Sequence, residues 1–231
     1  MKKFVAITLA TLSSATAWTA DDPVVPVHEE PRHRLLYDNE RQAVRVLELF
    51  IPPGDTTMYH RHSSPIFYVT LQDSALRTQE PGAEWQTLRM RNLEPGTVRT
   101  NDSYVGQPLT HRVSNSGART ARSILILNEG EQAAANSTVS LPGVAGIDSK
   151  WFRQSRIELG GGEELAWDGA AGVLVLVLIS DTHVTVTGSS DSQQKTGLSH
   201  PGNYEVVNAG HGLSIRNHSR EQATVIAVAV L

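Results

Sequence analysis

Apolar positions fall in short runs along the chain: Ala43 to Ile51, Phe67 to Leu71, Ser123 to Leu127, Val173 to Ile179, His183 to Thr187, Tyr204 to Val207 and Thr224 to Val230. Each alternates or is continuously β-branched, and each is short. Turn chemistry separates them, at Pro52-Pro53-Gly54-Asp55, Glu80-Pro81-Gly82, Glu94-Pro95-Gly96, Asn115-Ser116-Gly117, His200-Pro201-Gly202-Asn203 and Ala209-Gly210. Many short strands with regular turns predict an all-β sandwich or barrel. No amphipathic helical pattern alternates with the strands, so a parallel α/β architecture is disfavoured. The stretch Glu129 to Ser140, with Ala133-Ala134-Ala135, is weakly helical or a linker and marks the boundary between two halves.

Those halves resemble each other. The first contains Glu94-Pro95-Gly96-Thr97-Val98, then His111 to Asn115, then the strand Ile124 to Leu127. The second contains His200-Pro201-Gly202 leading into Tyr204 to Val207, then Leu213 to Asn217, then Thr224 to Val230. A duplicated β domain is the economical explanation, although turn chemistry recurs in any all-β chain.

The 231 residues carry 20 Lys and Arg against 24 Asp and Glu, a formal charge of −4. A chain with no basic surplus is a poor partner for nucleic acid. Cysteine is absent, which excludes disulfides, thiolate catalysis and Cys-ligated metal; any metal site must use His, Asp, Glu or neutral oxygens. Lys2 and Lys3, the apolar run Phe4 to Leu12 and the small-x-small Ala15-Thr16-Ala17 read as a signal peptide over residues 1–17, with Trp18 as the mature start. The expected product is periplasmic or secreted, with no membrane contact after cleavage; an uncleaved anchor is the alternative. The expected organisation is an arm over 18–39, a first barrel over 40–130, a linker over 131–149 and a second barrel over 150–231.

His60 and His62 stand at i and i+2, so on a strand both imidazoles point to one face, with Met58 on the same face and Tyr59 and Arg61 opposite. Gly54 opens a turn six residues before His60, and a distant His111 is followed by Asn115. At these residues the sequence resembles the cupin superfamily. The first cupin motif, a Gly, five residues and His-x-His, is matched by Gly54 and His60-Arg61-His62. The second is matched by Gly96, Pro108, His111 and Asn115, with extra residues between Asn101 and Gln107. The resemblance covers residues 40–128 well and the second half loosely. It implies two double-stranded β-helix (jelly-roll) barrels and one divalent metal ion (Fe, Zn, Mn, Cu or Ni) held by His60, His62 and His111.

One ligand of that family is missing here. The position of its glutamate falls on Ile66 or Phe67, or on Pro65 by the following Tyr-Val strand. Three neutral imidazoles leave the ion's charge uncompensated and make it a strong Lewis acid. Asp55 and Asp102 are the candidates for a carboxylate in the shell. Tyr104 and Asp102, in the extra segment, are the candidate proton-transfer residues; packing and turn formation are their alternative roles. Arg112 should point away from the metal into a surface or interface ion pair. Trp85, Trp151 and Trp167 read as packing residues, and His28, His33 and His211 as exposed. The second half has no His-x-His, and Leu213 stands four before Asn217, so the second barrel should complete the first or form a homodimer surface.

The expected function is a metalloenzyme acting on a small organic molecule, by dioxygenase-like chemistry first and lyase or isomerase chemistry second. A non-catalytic periplasmic module that binds a small molecule or metal is the alternative, and a metal-free structural barrel with hydrogen-bonded histidines is a third.

Overall fold

The computed structural model describes residues 23–88, 93–131, 139–168, 172–188, 195–209 and 212–231. The signal-peptide reading, the centre of the Glu129 to Ser140 stretch and His211 lie outside these residues. The chain is all-β. Its first half holds β1 (Val24–Pro26), β2 (His33–Asn39), β3 (Val44–Ile51), β4 (Tyr59–His62), β5 (Ile66–Gln72), β6 (Leu76–Gln79), β7 (Gln86–Thr87), β8 (Val98–Asn101), β9 (Leu109–Asn115) and β10 (Ala121–Asn128). The second holds β11 (Val144–Asp148), β12 (Phe152–Leu159), β13 (Glu164–Trp167), β14 (Gly172–Leu178), β15 (Val184–Gly188), β16 (Lys195–Leu198), β17 (Tyr204–Ala209), β18 (Leu213–Asn217) and β19 (Ala223–Val230).

Each half makes two facing sheets, β1-β4-β9-β6-β7 over β2-β3-β10-β5-β8 and β13-β18-β15-β16 over β11-β12-β19-β14-β17. The sheets β2-β3-β10-β5-β8 and β11-β12-β19-β14-β17 then pack on each other. In β14, Val173, Val175 and Val177 face the other barrel while Leu174, Leu176 and Leu178 line their own. In β5, Phe67, Val69 and Leu71 face the shared core, and Ile66 and Tyr68 face the first barrel's interior. This explains why the strongest strand signals were continuous rather than alternating: both faces of these strands are dry. Phe67 and Phe152 meet across the interface at 5.5 Å. Gly202 (φ 91) closes the contact, since a Cβ there would come within 2.6 Å of Leu71.

The internal repeat has a physical core. Asn115 and Asn217 are fully buried at the ends of β9 and β18. Asn115 donates to the carbonyls of Ile51 and Arg119 at 2.8 and 2.7 Å. Asn217 does the same to Leu159 and Glu221 at 3.1 and 2.7 Å. Each side-chain oxygen accepts the amide two residues on, at 2.9 Å. Each asparagine thus ties one sheet to the other at the same corner of its barrel.

Two segments expected as connectors are knit into the sheets. The arm supplies β1, parallel to β4 with Val25 opposite His60, and β2, antiparallel to β3. The linker span supplies β11, antiparallel to β12. Among the described residues no helix is long and apolar enough to cross a membrane.

Candidate metal centre

Gly54 (φ 79) makes the turn that delivers the chain into β4, and its amide donates to Asn115 O at 2.9 Å. In the antiparallel β4–β9 pair His60 stands opposite His111, and His62 opposite Leu109. His60 and His62 are buried, and His111 keeps a solvent-facing edge. The ligand nitrogens of His60, His62 and His111 all lie within 4.8 Å of one another. Ring centroids are 4.7 Å apart for His60–His111 and 5.1 Å for the other two pairs.

The outer nitrogens set the tautomers. His60 Nδ1 donates to Met58 O at 3.0 Å. The Thr78 hydroxyl is directed at Arg112 O, 3.4 Å away, so its oxygen accepts the His111 Nδ1–H at 2.8 Å. Both leave Nε2 bare for the interior. His60 Nε2 is buried and has no hydrogen-bond partner, and His62 Nε2 lies 3.1 Å from His111 Nε2. Burial, reinforced by the neighbouring imidazoles, lowers all three pKa values: His60 far below the ordinary histidine range, His62 to about 2 and His111 to about 4. All three are neutral at pH 7, the form in which imidazole binds metal.

His33, expected to be exposed, is buried, with its ring centroid 4.7 Å from His60 and 6.5 Å from His62. It enters from the inner face of β2 and is held by Glu30, whose Oε2 lies 2.9 Å from His33 Nδ1. Glu30 is itself buried and accepts the amides of Met58 and Arg32. Burial opposes its ionisation, but the His33 contact and the two amides outweigh that and lower its pKa. His28 is also drawn in, partly buried beside Glu29 and Glu129. Nothing in the sequence distinguished His33, and its distance from the His-x-His gave no hint of contact.

The other expected residues divide. Tyr104 is buried in a single helical turn, Ser103–Val105, and its ring stacks on His62 at 4.9 Å, so it packs as one wall of the centre. Tyr68, whose pKa burial raises, shares a hydrogen bond with Tyr104. The Asp102 carboxylate accepts the Thr100 hydroxyl at 2.7 Å and serves the turn. Asp55 pairs with Arg32 at 2.6 Å. Met58 offers its carbonyl to His60, but its side chain is exposed rather than on the shared face. Arg112 makes no ion pair among the described residues. It donates to Gln79 at 2.7 Å and lies over the rings of Tyr59 and Trp85. Trp151 is buried in the shared core. Of the three glutamate positions, Ile66 faces the barrel interior, Phe67 faces the shared core, and Pro65 is buried just before β5. Sequence reading passed over Arg99, whose guanidinium lies 3.7 Å over the Tyr68 ring and is close enough to His62 to depress its pKa. Its buried Nε has no partner.

In the second barrel Trp167 stands opposite Leu213, as His60 stands opposite His111 in the first. That pair cannot bind a metal.

No family model and no curated protein matches the chain. Solved structures do. AerE from Microcystis aeruginosa superposes with a TM-score of 0.60, covering 87% of this chain and 98% of its own at 12% identity. A salicylate 1,2-dioxygenase from Pseudaminobacter salicylatoxidans gives 0.59, covering 86% and 76% at 13% identity. A mutant of that dioxygenase in complex with gentisate gives 0.60, covering 86% and 74% at 14% identity. At such identities the likeness is one of fold.

Proposed function

We propose that this chain, whose fold is that of the cupin superfamily, is a metal-dependent enzyme acting on a small organic acid, with dioxygenase chemistry as the first choice. The observation that carries the reading is the convergence of three neutral imidazoles on one point of the barrel interior, one of them with an unpartnered buried nitrogen. A buried polar atom without a partner costs about 1–3 kcal/mol, and a divalent ion at that point removes the cost. The donor set fits: imidazole suits Zn, Cu, Fe and Ni.

His60, His62 and His111 would hold the ion. A bound divalent ion supplies Lewis acidity and, if redox-active, a route for electrons to dioxygen. Met58 O and Thr78 fix the imidazole tautomers, which keeps the inner nitrogens bare. Tyr104 walls the centre against water with its ring, and the Tyr104–Tyr68 hydroxyl pair offers a proton or hydrogen bond beside it. Arg99, poised on Tyr68 with a free Nε–H, would take the carboxylate of the substrate. The gentisate bound to a protein of similar fold belongs to this class of small aromatic acids. The second barrel supports the first through the shared core.

The test is an oxygen-electrode screen of Fe(II)- and Cu(II)-loaded protein against hydroxybenzoates. Substrate-dependent oxygen uptake that is lost in Arg99→Ala supports the reading. Turnover without oxygen in the Zn(II) or Mn(II) form would replace it with lyase or isomerase chemistry. Saturable binding with no turnover in any form would assign the barrel to capture. Export is part of the proposal, and N-terminal sequencing of the mature protein should begin at Trp18.

A further inference from the structure

The strands that carry the histidines have a second face. β4, β9 and β6 turn His60, His62, His111 and Thr78 inward, so Tyr59, Arg61, Arg77, Gln79 and Arg112 point outward. Tyr59, Arg112 and Gln79 stand in one row across the three strands, because His60 pairs with His111 and Gln79 with Arg112. Arg61 pairs with Thr110 and Arg77 with Ser114, so these two arginines sit diagonally on either side of Arg112. Three guanidiniums thus cross the face as a stripe. Many arginines elsewhere on the molecule meet a carboxylate, as Arg32 does Asp55, Arg45 Asp38, Arg122 Glu48 and Arg153 Asp148. Among the described residues no carboxylate pairs with Arg61, Arg77 or Arg112.

We propose that this outer face binds a small polyanion, a molecule with two or more carboxylates or phosphates, laid across Arg61, Arg112 and Arg77. Aromatic rings hold the stripe in place. The Arg77 guanidinium lies 4.9 Å from the centre of the Trp85 ring, and that of Arg112 lies 5.1 Å from it and 4.8 Å from the centre of the Tyr59 ring. A guanidinium over a ring uses its face and leaves N–H groups at its edge, the fork that fits carboxylate and phosphate. Arg112 commits its Nε to Gln79, at 2.7 Å, and Arg77 Nε is buried with no partner, so neither head is neutralised from within the fold. Arg61 is exposed, and Arg77 and Arg112 are half-buried. Three like charges on neighbouring strands repel, and an anion along the stripe offsets that repulsion. The chain as a whole carries a formal charge of −4, which opposes a long polyanion and leaves a small one as the ligand that fits. The site lies on the back of the strands that form the metal centre and needs no metal.

The experiment titrates the purified protein, treated with chelator and dialysed, with citrate and separately with pyrophosphate, by calorimetry at low salt. Saturable binding of one anion per chain, weakened by added salt, is the expected result. Tighter binding of citrate assigns the site to carboxylates, and tighter binding of pyrophosphate assigns it to phosphates. Affinity should fall about 10-fold for each arginine removed, and so about 100-fold in Arg61→Gln/Arg77→Gln. Arg41→Gln, which removes an exposed arginine outside the stripe, should bind as the unaltered protein does. If the double variant does not fold, the exposed Arg61→Gln decides. No saturable binding of either anion, or equal affinity in the stripe variants, overturns the proposal. Binding that is lost in His60→Ala/His111→Ala and kept in the stripe variants places the anion inside the barrel and overturns it as well.

Discussion

Replacing Asn115 by Ala tests how the barrel holds the strand that carries His111 in place. Its amide donates to two carbonyls on either side of the sheet corner, and its oxygen accepts from Gly117 N and from the Ser74 hydroxyl at 2.8 Å. All four bonds are lost in Asn115→Ala, and the groups around the fully buried site cannot turn to water. At about 1 kcal/mol net for each bond, the loss should be about 3–5 kcal/mol. For a chain of this size that corresponds to a fall in melting temperature of roughly 6–20 °C. Asn217→Ala, with the matching contacts in the second barrel, should cost a similar amount. Asn115→Asp should be no better, because it sets an acceptor against two carbonyls. Thermal and urea melts measure all three. Because Asn115 ends the strand that carries His111, Asn115→Ala should also weaken metal binding more than Asn217→Ala does. Losses below about 1 kcal/mol in both alanine variants would refute the idea that these asparagines clamp the barrels.

Other predictions follow from the centre itself. Ile66→Glu buries a carboxylate in the barrel interior; it should destabilise the metal-free protein and raise the stabilisation gained on adding metal, both read in melts with and without Zn(II). Tyr104→Phe keeps the ring on His62 and should leave metal uptake intact, whereas Tyr104→Ala should cost about 3–5 kcal/mol through the cavity it opens. In chelator-treated protein, His62 and His111 titrate near 2 and 4 when folded but near 6.5 when unfolded. Protons therefore favour the unfolded chain. Stability should be complete above about pH 6.5 and fall below it by about 1.4 kcal/mol per pH unit for each buried histidine, continuing to about pH 4 for His111. Urea midpoints across that range, flat from pH 7 to 5, would contradict this.

The strands that sequence made legible are those with two dry faces or strong alternation, such as β3, β5, β10, β14 and β19. β6, β7 and β8 were not legible, because their residues are polar: Arg77 lies over Trp85 and Arg99 over Tyr68, and these arginine stems do the covering that apolar side chains do elsewhere. His60, His62 and His111 were legible because strand periodicity and motif spacing are local or repeated properties. His33 and Glu30 were not. In the sequence they sit in a Pro-flanked polar stretch without periodicity, and their burial is decided by partners some thirty residues away: Met58, whose amide binds Glu30, and the His60 ring. Arg112 was misjudged for a related reason: its neighbours along the chain suggested an ion pair at the surface, and its partners Gln79 and Tyr59 come from other strands.

The most direct test of the metal centre is elemental analysis of the purified protein beside His60→Ala/His111→Ala. Near one divalent ion per chain is expected in the unaltered protein and none in the variant. An unaltered protein that carries no metal and cannot be loaded, or a variant that retains the same metal, would contradict it.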